Sequence, residues 1–464
     1  MLKADVRGKR FSVLGGARSG LAVAGLLKAH GAEVFLSDRA PAEKMEQAKA
    51  ELDALGVSAE FGGNTLRALD AEVMVLSPGV PSDAPIVREA LALGKMVVSE
   101  VEVASWFCTA PIAAITGTNG KTTTTTLLGR MFEDAKRPVV VAGNIGTAFS
   151  QVVTGMTAGA TAILEISSFQ LDHVGAFRPA VAVLLNITPD HLDRYDHSFE
   201  KYIASKCRIF ENQRAGDVLV YNHDNAVTRE NVVRRIDRGV ALLPFSTQER
   251  LPQGAFLHRG LLTTVIGGRE ADVIEAGAIS MRGAHNLANA MAAALAAKAM
   301  GIHTASLRAT LRNFKGVEHR LEFVREMDGV TYVNDSKATN VDSVWYALQS
   351  FASPVVVLIG GRDKGNDYTR LLDLVRTNVR AVIAIGESAA VVERAFAPVV
   401  PVTVCSTMED AVREGRRLAA PGDVVLLSPA CASFDWFDNY EHRGRVFKQL
   451  VMLLKEHANA TQSY

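Results

Sequence analysis

Cysteine is scarce in this sequence: four residues among 464, Cys108, Cys207, Cys405 and Cys431, lie far apart. With no C-x-x-C pair and no clustered Cys/His set, neither a disulfide framework nor structural zinc is expected, and the thiols fit a reducing cytoplasm. Net charge is absent as well, with 50 Lys and Arg against 50 Asp and Glu. A balanced chain builds no field toward nucleic acid or an anionic membrane, so recognition of phosphate has to be local. Long apolar runs are also missing. The N-terminus passes from Lys3 and Arg10 directly into FSVLGG, without the apolar core and cleavage site of a secretion signal. The most apolar helical stretch, Ala288 to Met300, carries Lys298. It is shorter than the roughly 20 residues that cross a bilayer, so it reads as a buried helix. No solenoid period and no low-complexity tract appears. These absences lead us to expect a cytoplasmic protein with small-molecule substrates, no nucleic-acid partner and no membrane span, and a monomer is expected as well.

Hydrophobic residues make up 48% and charged residues 22%, the balance of a packed globular protein. At roughly 100 to 200 residues per domain the length allows two to four domains, and the pattern indicates three. Short apolar runs alternate with helical segments, first as FSVLGG, EVFLSD, VMVLSPG and MVVSE over 11–100. A second series runs through PIAAITG, VVVAGNIG, TAILEISS, VAVLLNIT and DVLVYN over 111–222, and a third through GVTYVNDS, PVVVLIGG, AVIAIGE, VTVCS and DVVLLSPA over 329–430. Strands alternating with helices imply parallel sheets. From about 245 to 283 the pattern changes to short, glycine-rich alternating pieces, as in a small antiparallel insertion. The expected class is α/β, with a Rossmann-like domain over 1–103, a P-loop-type ATPase domain with a parallel sheet over 104–316, and a second Rossmann-like domain over 317–464.

The sharpest motif is Gly117-Thr118-Asn119-Gly120-Lys121-Thr122-Thr123, between the strand-like IAAIT and a helical segment. Glycines let backbone amides curl round an anion, a helix N-terminus faces it, Lys121 adds a point charge, and Thr122 reaches a magnesium ion. The common P-loop template has glycine six positions before the lysine, where this chain has Ile115. Glu165 closes TAILE as a candidate metal ligand, and Asn-Ile-Thr-Pro-Asp-His-Leu-Asp puts Asp190, His191 and Asp193 at the next strand end. Nearer the N-terminus, Gly15-Gly16-Ala17-Arg18-Ser19-Gly20 follows the first strand, Asp38 ends the second, and Ser77-Pro-Gly79 follows the third. A diphosphate on that helix N-terminus, with a ribose or base reached from Asp38, suits NAD, FAD or a UDP-sugar equally.

GTNGKTT, the Glu165 strand end, DHLDRY at 190–195, GAHNLANA at 283–290, EHR at 318–320, NDSKATN at 334–340 and SPACASFD at 428–435 together resemble the Mur ligase family, nearly end to end. NDSKATN with SPACASFD is the more specific pair. It points to the branch that adds D-glutamate to UDP-N-acetylmuramoyl-L-alanine with ATP, through an acyl phosphate. The resemblance implies a UDP-binding first domain using Gly16, Arg18, Ser19, Asp38, Arg39, Ser77 and Gly79, with Asn144 and His191 at the muramoyl-alanine end. It implies ATP contacts from residues 117–123, Asn286, Asn289, Arg320, Asp335 and Lys337. Two Mg²⁺ ions would be held by Thr122, Glu165, His191 and a carbamylated Lys206, with Lys121, His191 and Lys206 acting in catalysis. The D-glutamate pocket would use His191, Thr339, Lys364, Ser433 and Tyr440, the last standing where relatives often carry Phe. The D-N-P-R motif of the diaminopimelate- and lysine-adding branches is absent. The UDP-type first domain argues against a folylpolyglutamate synthase. A nicotinamide-dependent oxidoreductase would leave GTNGKTT and SPACASFD without a purpose, and a non-catalytic nucleotide-binding module would bind ATP without turnover.

Overall fold

Runs of aliphatic and β-branched residues can bury both faces only as inner strands of a parallel sheet covered by helices. In the computed structural model, which describes residues 5–235, 239–281, 283–363 and 365–455, such runs build three sheets. The first consists of β1 (Arg10–Leu14), β2 (Glu33–Asp38), β3 (Ser58–Phe61), β4 (Val73–Leu76) and β5 (Met96–Ser99), all parallel, in the order β3-β2-β1-β4-β5. The order reverses between β1 and β4, which opens a crevice at their carboxyl ends. There Ser77 Oγ donates to Gly15 O at 2.9 Å.

The second sheet contains β6 (Ile112–Thr116), β7 (Val139–Gly143), β8 (Thr161–Glu165), β9 (Val181–Leu184), β10 (Val218–Asn222), β11 (Ala241–Ser246), β12 (Gly254–His258), β13 (Leu261–Ile266) and β14 (Arg269–Glu275). Its order is β14-β13-β12-β11-β10-β9-β6-β8-β7, parallel from β7 through β12 and antiparallel from β12 to β14. The antiparallel pieces expected over 245–283 therefore extend the edge of the main sheet, because Phe245 and Ser246 of β11 pair with Ala255 and Phe256 of β12. The Ala-rich segment forms helix Ala284–Ala299, in which Ala290 through Ala297 are buried. No helix among the described residues is long and apolar enough to cross a membrane.

The third sheet holds β15 (Glu322–Met327), β16 (Val330–Asn334), β17 (Val355–Gly360), β18 (Val379–Ile385), β19 (Val402–Val404) and β20 (Val424–Leu427) in the order β15-β16-β20-β17-β18-β19, with only β15 antiparallel. By contact the chain forms a first unit that runs to Ser280 and takes in Asn286–Phe314, and a second made of Met281–His285 and the chain from Lys315 on. The first unit carries two sheets because Leu26, Val101 and Ala104 share one buried cluster with Ile112, Phe149 and Phe177.

Candidate active site

β6 ends at Thr116, and the chain turns through Gly117 (φ 156°) and Gly120 (φ 85°) into helix Lys121–Asp134. Both glycines are required. A Cβ on Gly117 would lie 2.9 Å from Leu185 Cβ, and one on Gly120 would lie 2.3 Å from Asn289 Oδ1. Asn289 thus packs directly on the loop, and its Nδ2 donates to Asn286 Oδ1 at 3.4 Å. No side chain caps the helix at Gly120, so the first-turn N–H groups and the positive end of the helix dipole face the loop. Lys121 Nζ folds back over it, donating to Gly117 O at 2.9 Å and Thr118 O at 2.8 Å. Thr122 and Thr123 are buried in the first turn, and Thr123 Oγ1 has no hydrogen-bond partner among the described residues.

The parallel register sets Glu165 beside Ile115 and Leu184 beside Thr116, so this loop, the end of β8 and the loop after β9 leave from one sheet edge. His191 lies on the last of these in the left-handed region (φ 53°), its Nε2 3.7 Å from Asp190 Oδ2 and its ring edge-on to Phe169. Lys206, on helix Phe199–Cys207, is 2% exposed, with Nζ 4.9 Å from the Tyr202 ring centre. Burial, reinforced by Lys121, drives its pKa well below the usual lysine range against the opposing pull of Asp190, Asp172 and Glu165. A buried ammonium carries a heavy desolvation penalty, so the neutral amine is favoured.

Glu165 is 2% exposed; its Oε1 accepts from Asn144 Nδ2 at 2.9 Å, while Oε2 has no partner among the described residues. A buried carboxylate oxygen left without a donor is costly unless a cation satisfies it. Hard oxygen donors are what Mg²⁺ takes, so the residues at this edge fit a magnesium site.

At the crevice of the first sheet a cavity of about 730 Å³ is lined by Arg18, Ser19, Asp38, Arg39, Ser77 and Gly79, with Asn144 reaching in from the second sheet. Gly16 lines a neighbouring cavity instead, and His191 lines neither. Asp38 is already engaged: its Oδ2 accepts from Gly16 N and its Oδ1 from Ala40 N at 2.7 Å. It therefore braces the glycine turn as well as facing the cavity.

In the second unit, burial pushes the Asp335 carboxyl up to about 7, against Arg320 and hydrogen bonds from Ser428 Oγ and Leu321 N. Arg320 Nε is buried with no partner among the described residues. Tyr440 opens helix Tyr440–Leu453, with Lys337 Nζ 5.2 Å from its ring centre, and Ser336 Oγ donates to its carbonyl at 2.8 Å. Thr339 is half-buried and Ser433 buried. Lys364 lies outside the described residues.

The model of the Mur ligase middle domain matches residues 115–297, and that of the Mur ligase glutamate ligase domain matches 319–431. The chain belongs to the Mur ligase family. It is 52% identical to the UDP-N-acetylmuramoylalanine--D-glutamate ligase of Salinibacter ruber, over 97% of this chain and 99% of that one. To the ligase of the same name in Chloroherpeton thalassium it is 45% identical, over 98% and 100%. Among solved structures, MurF from Acinetobacter baumannii has a TM-score of 0.60 at 16% identity, over 95% and 93% of the two chains. UDP-N-acetylmuramate-alanine ligase MurC from Thermotoga maritima has 0.59 at 18%, over 95% and 98%. These two show that the Mur ligase fold is shared.

Two polar groups that stabilise this Mur ligase site were not singled out by the sequence, although Asn186 heads the Asn-Ile-Thr-Pro-Asp-His-Leu-Asp segment. Asn186, just after β9, clamps the phosphate loop: its Oδ1 accepts from Asn119 N at 2.8 Å and its Nδ2 donates to Asn119 O at 3.1 Å. Asn186→Ala removes both bonds. At about 1 kcal/mol each and 1.4 kcal/mol per decade, ATP affinity is expected to fall about thirtyfold, read by calorimetric titration of the nucleotide. Arg443, 1% exposed, donates to Ser336 O and Oγ, Ala432 O and Cys431 O, tying NDSKATN to SPACASFD. Burial lowers its pKa to about 10. Only its position on helix Tyr440–Leu453 near Tyr440 hints at this in the sequence.

Proposed function

We propose that this chain joins D-glutamate to the alanyl carboxylate of UDP-N-acetylmuramoyl-L-alanine, with ATP converted to ADP and phosphate, in the cytoplasm and as a monomer, as a step of peptidoglycan precursor synthesis. The arrangement that supports the chemistry is the Gly117–Thr123 loop beside Glu165 and a charge-depleted Lys206 at one sheet edge. The UDP-N-acetylmuramoylalanine--D-glutamate ligases that the chain resembles over nearly their whole length supply acceptor and amino acid. In this reading residues 1–103 hold the UDP moiety, 104–316 bind ATP, and 317–464 carry the amino acid.

The first step brings two anions together, since the alanyl carboxylate attacks the γ-phosphate of ATP to form an acyl phosphate. Lys121 and the loop N–H groups stabilise the charge that gathers on the transferred phosphoryl group. Thr122, Glu165, His191 and a carbamylated Lys206 would hold two Mg²⁺ ions, which would supply Lewis-acid neutralisation of the same charge. A neutral lysine amine is a poor ligand for a hard cation, whereas its carbamate presents oxygens. The amine of D-glutamate then displaces phosphate through a tetrahedral intermediate. Arg18, Ser19, Asp38, Arg39, Ser77 and Gly79 bind the uridine diphosphate, with Gly16 at the turn and Asn144 and His191 toward the alanyl end. Asn286 and Asn289 serve the adenine side. Arg320, Asp335 and Lys337 contact phosphate and ribose, and Thr339, Lys364, Ser433 and Tyr440, with His191, hold the dicarboxylate, which needs more than one donor.

Phosphate release from ATP with Mg²⁺ and UDP-N-acetylmuramoyl-L-alanine is expected with D-glutamate and not with L-glutamate, glycine, L-lysine or diaminopimelate. Release with a different amino acid, or with none, overturns the assignment.

A further inference from the structure

Arg194, in the DHLDRY segment, joins a loop of the first sheet to the reacting edge of the second. Its Nη2 donates to Val80 O at 3.2 Å, and its guanidinium carbon stands 4.2 Å from the centre of the Phe169 ring. That same ring meets His191 edge-on, with centroids 5.2 Å apart at 66°. Val80 closes the tight turn that begins at Ser77, its N–H donating to Ser77 O at 2.9 Å. The direction of the Val80 carbonyl is therefore set by the turn that lines the 730 Å³ cavity with Ser77, Pro78 and Gly79. Phe169 sits in the short helix Ser168–Leu171, fixed by a capping box between Ser167 and Gln170 just beyond Glu165. A guanidinium that donates to a carbonyl while lying on an aromatic face has little freedom left in orientation.

We propose that Arg194 is a positioning residue that couples the Ser77–Val80 turn, through Phe169, to the imidazole of His191, so that a uridine diphosphate group in the cavity orients His191 at the reacting end. This rests on the assignment of that cavity to the UDP moiety. A second tie reaches the same loop, from His173 Nε2 to Ser82 Oγ at 2.8 Å. Beside His173, Asp172 accepts from the Tyr195 hydroxyl at 2.9 Å and Tyr195 stacks on Phe169, so removal of Arg194 leaves the loop anchored and removes its direct contact with the Phe169–His191 pair.

The test uses the full chain with isotope-labelled histidine, the His191 imidazole signal being assigned from its loss in His191→Gln. Adding UDP alone is expected to shift that signal in the wild type and not in Arg194→Met, while calorimetry shows both proteins binding UDP. In turnover Arg194→Met is expected to lower kcat about tenfold, within the range of coupled sites, with KM for ATP unchanged. Arg194→Lys, which keeps the charge without the planar stacking, is expected to fall between, and it carries the comparison if Arg194→Met melts early. An equal UDP-induced shift in the variants overturns the coupling and leaves the cavity assignment standing. Failure of the wild type to bind UDP overturns both.

Discussion

Lys206→Ala is expected to lose turnover by about a thousandfold and to regain part of it when acetate or another short carboxylic acid is added. The amine is 2% exposed, and burial with the neighbouring Lys121 lowers its pKa well below the usual lysine range, which favours the uncharged form that carbon dioxide attacks. A carbamate formed there, as proposed, would restore a negative charge near Lys121 and present oxygens to a cation. Alanine removes these oxygens and leaves room beside Tyr202, whose ring Nζ approaches. A small carboxylate entering that space replaces the ligand atoms without the tether. Initial-rate assays with and without added acid provide the measurement. A fully active variant removes the carbamate from the mechanism.

Lys121→Ala is expected to reduce kcat by two to three orders of magnitude, about what one oxyanion-stabilising group contributes. Nζ is bound to the carbonyls of Gly117 and Thr118, which places the charge directly over the loop. The loop itself is held independently by Asn186 and by the Thr118–Thr188 hydrogen bonds, so the fold around it should survive. Near-normal rates in single-turnover assays would remove the phosphate-loop assignment. Because the Lys121 charge also lowers the Lys206 pKa, its loss is expected to make the proposed carbamylation of Lys206 less complete, visible as a smaller fraction of chains that carry the mass of one added carbon dioxide.

Much of this architecture was legible because its signals are contiguous. Strand, Gly-rich turn and helix follow one another within 112–134, so the phosphate loop needs only local geometry. Parallel order followed from alternating strands and helices, although β3, β11 and β15 were not foreseen: β3 (SAEF) and β15 (EFVREM) are half-exposed and carry too little apolar pattern. The antiparallel pieces after 245 were visible as pieces. Their continuity with the main sheet was not, since it depends on pairing between β11 and β12.

The sequence by itself determined the three-sheet plan, the phosphate loop, the acidic strand end at Glu165 and the kinship to Mur ligases, because each is written in neighbouring residues or in motif order. Only the tertiary structure decided that Asp38 braces Gly16, that Asn186 clamps Asn119 across 67 positions, that Arg443 ties two distant motifs, and that Lys206 is buried. The physical reason is the same in each case. A hydrogen bond or a desolvation penalty depends on what surrounds a side chain in space, and for these residues the surroundings come from parts of the chain that no local pattern brings together.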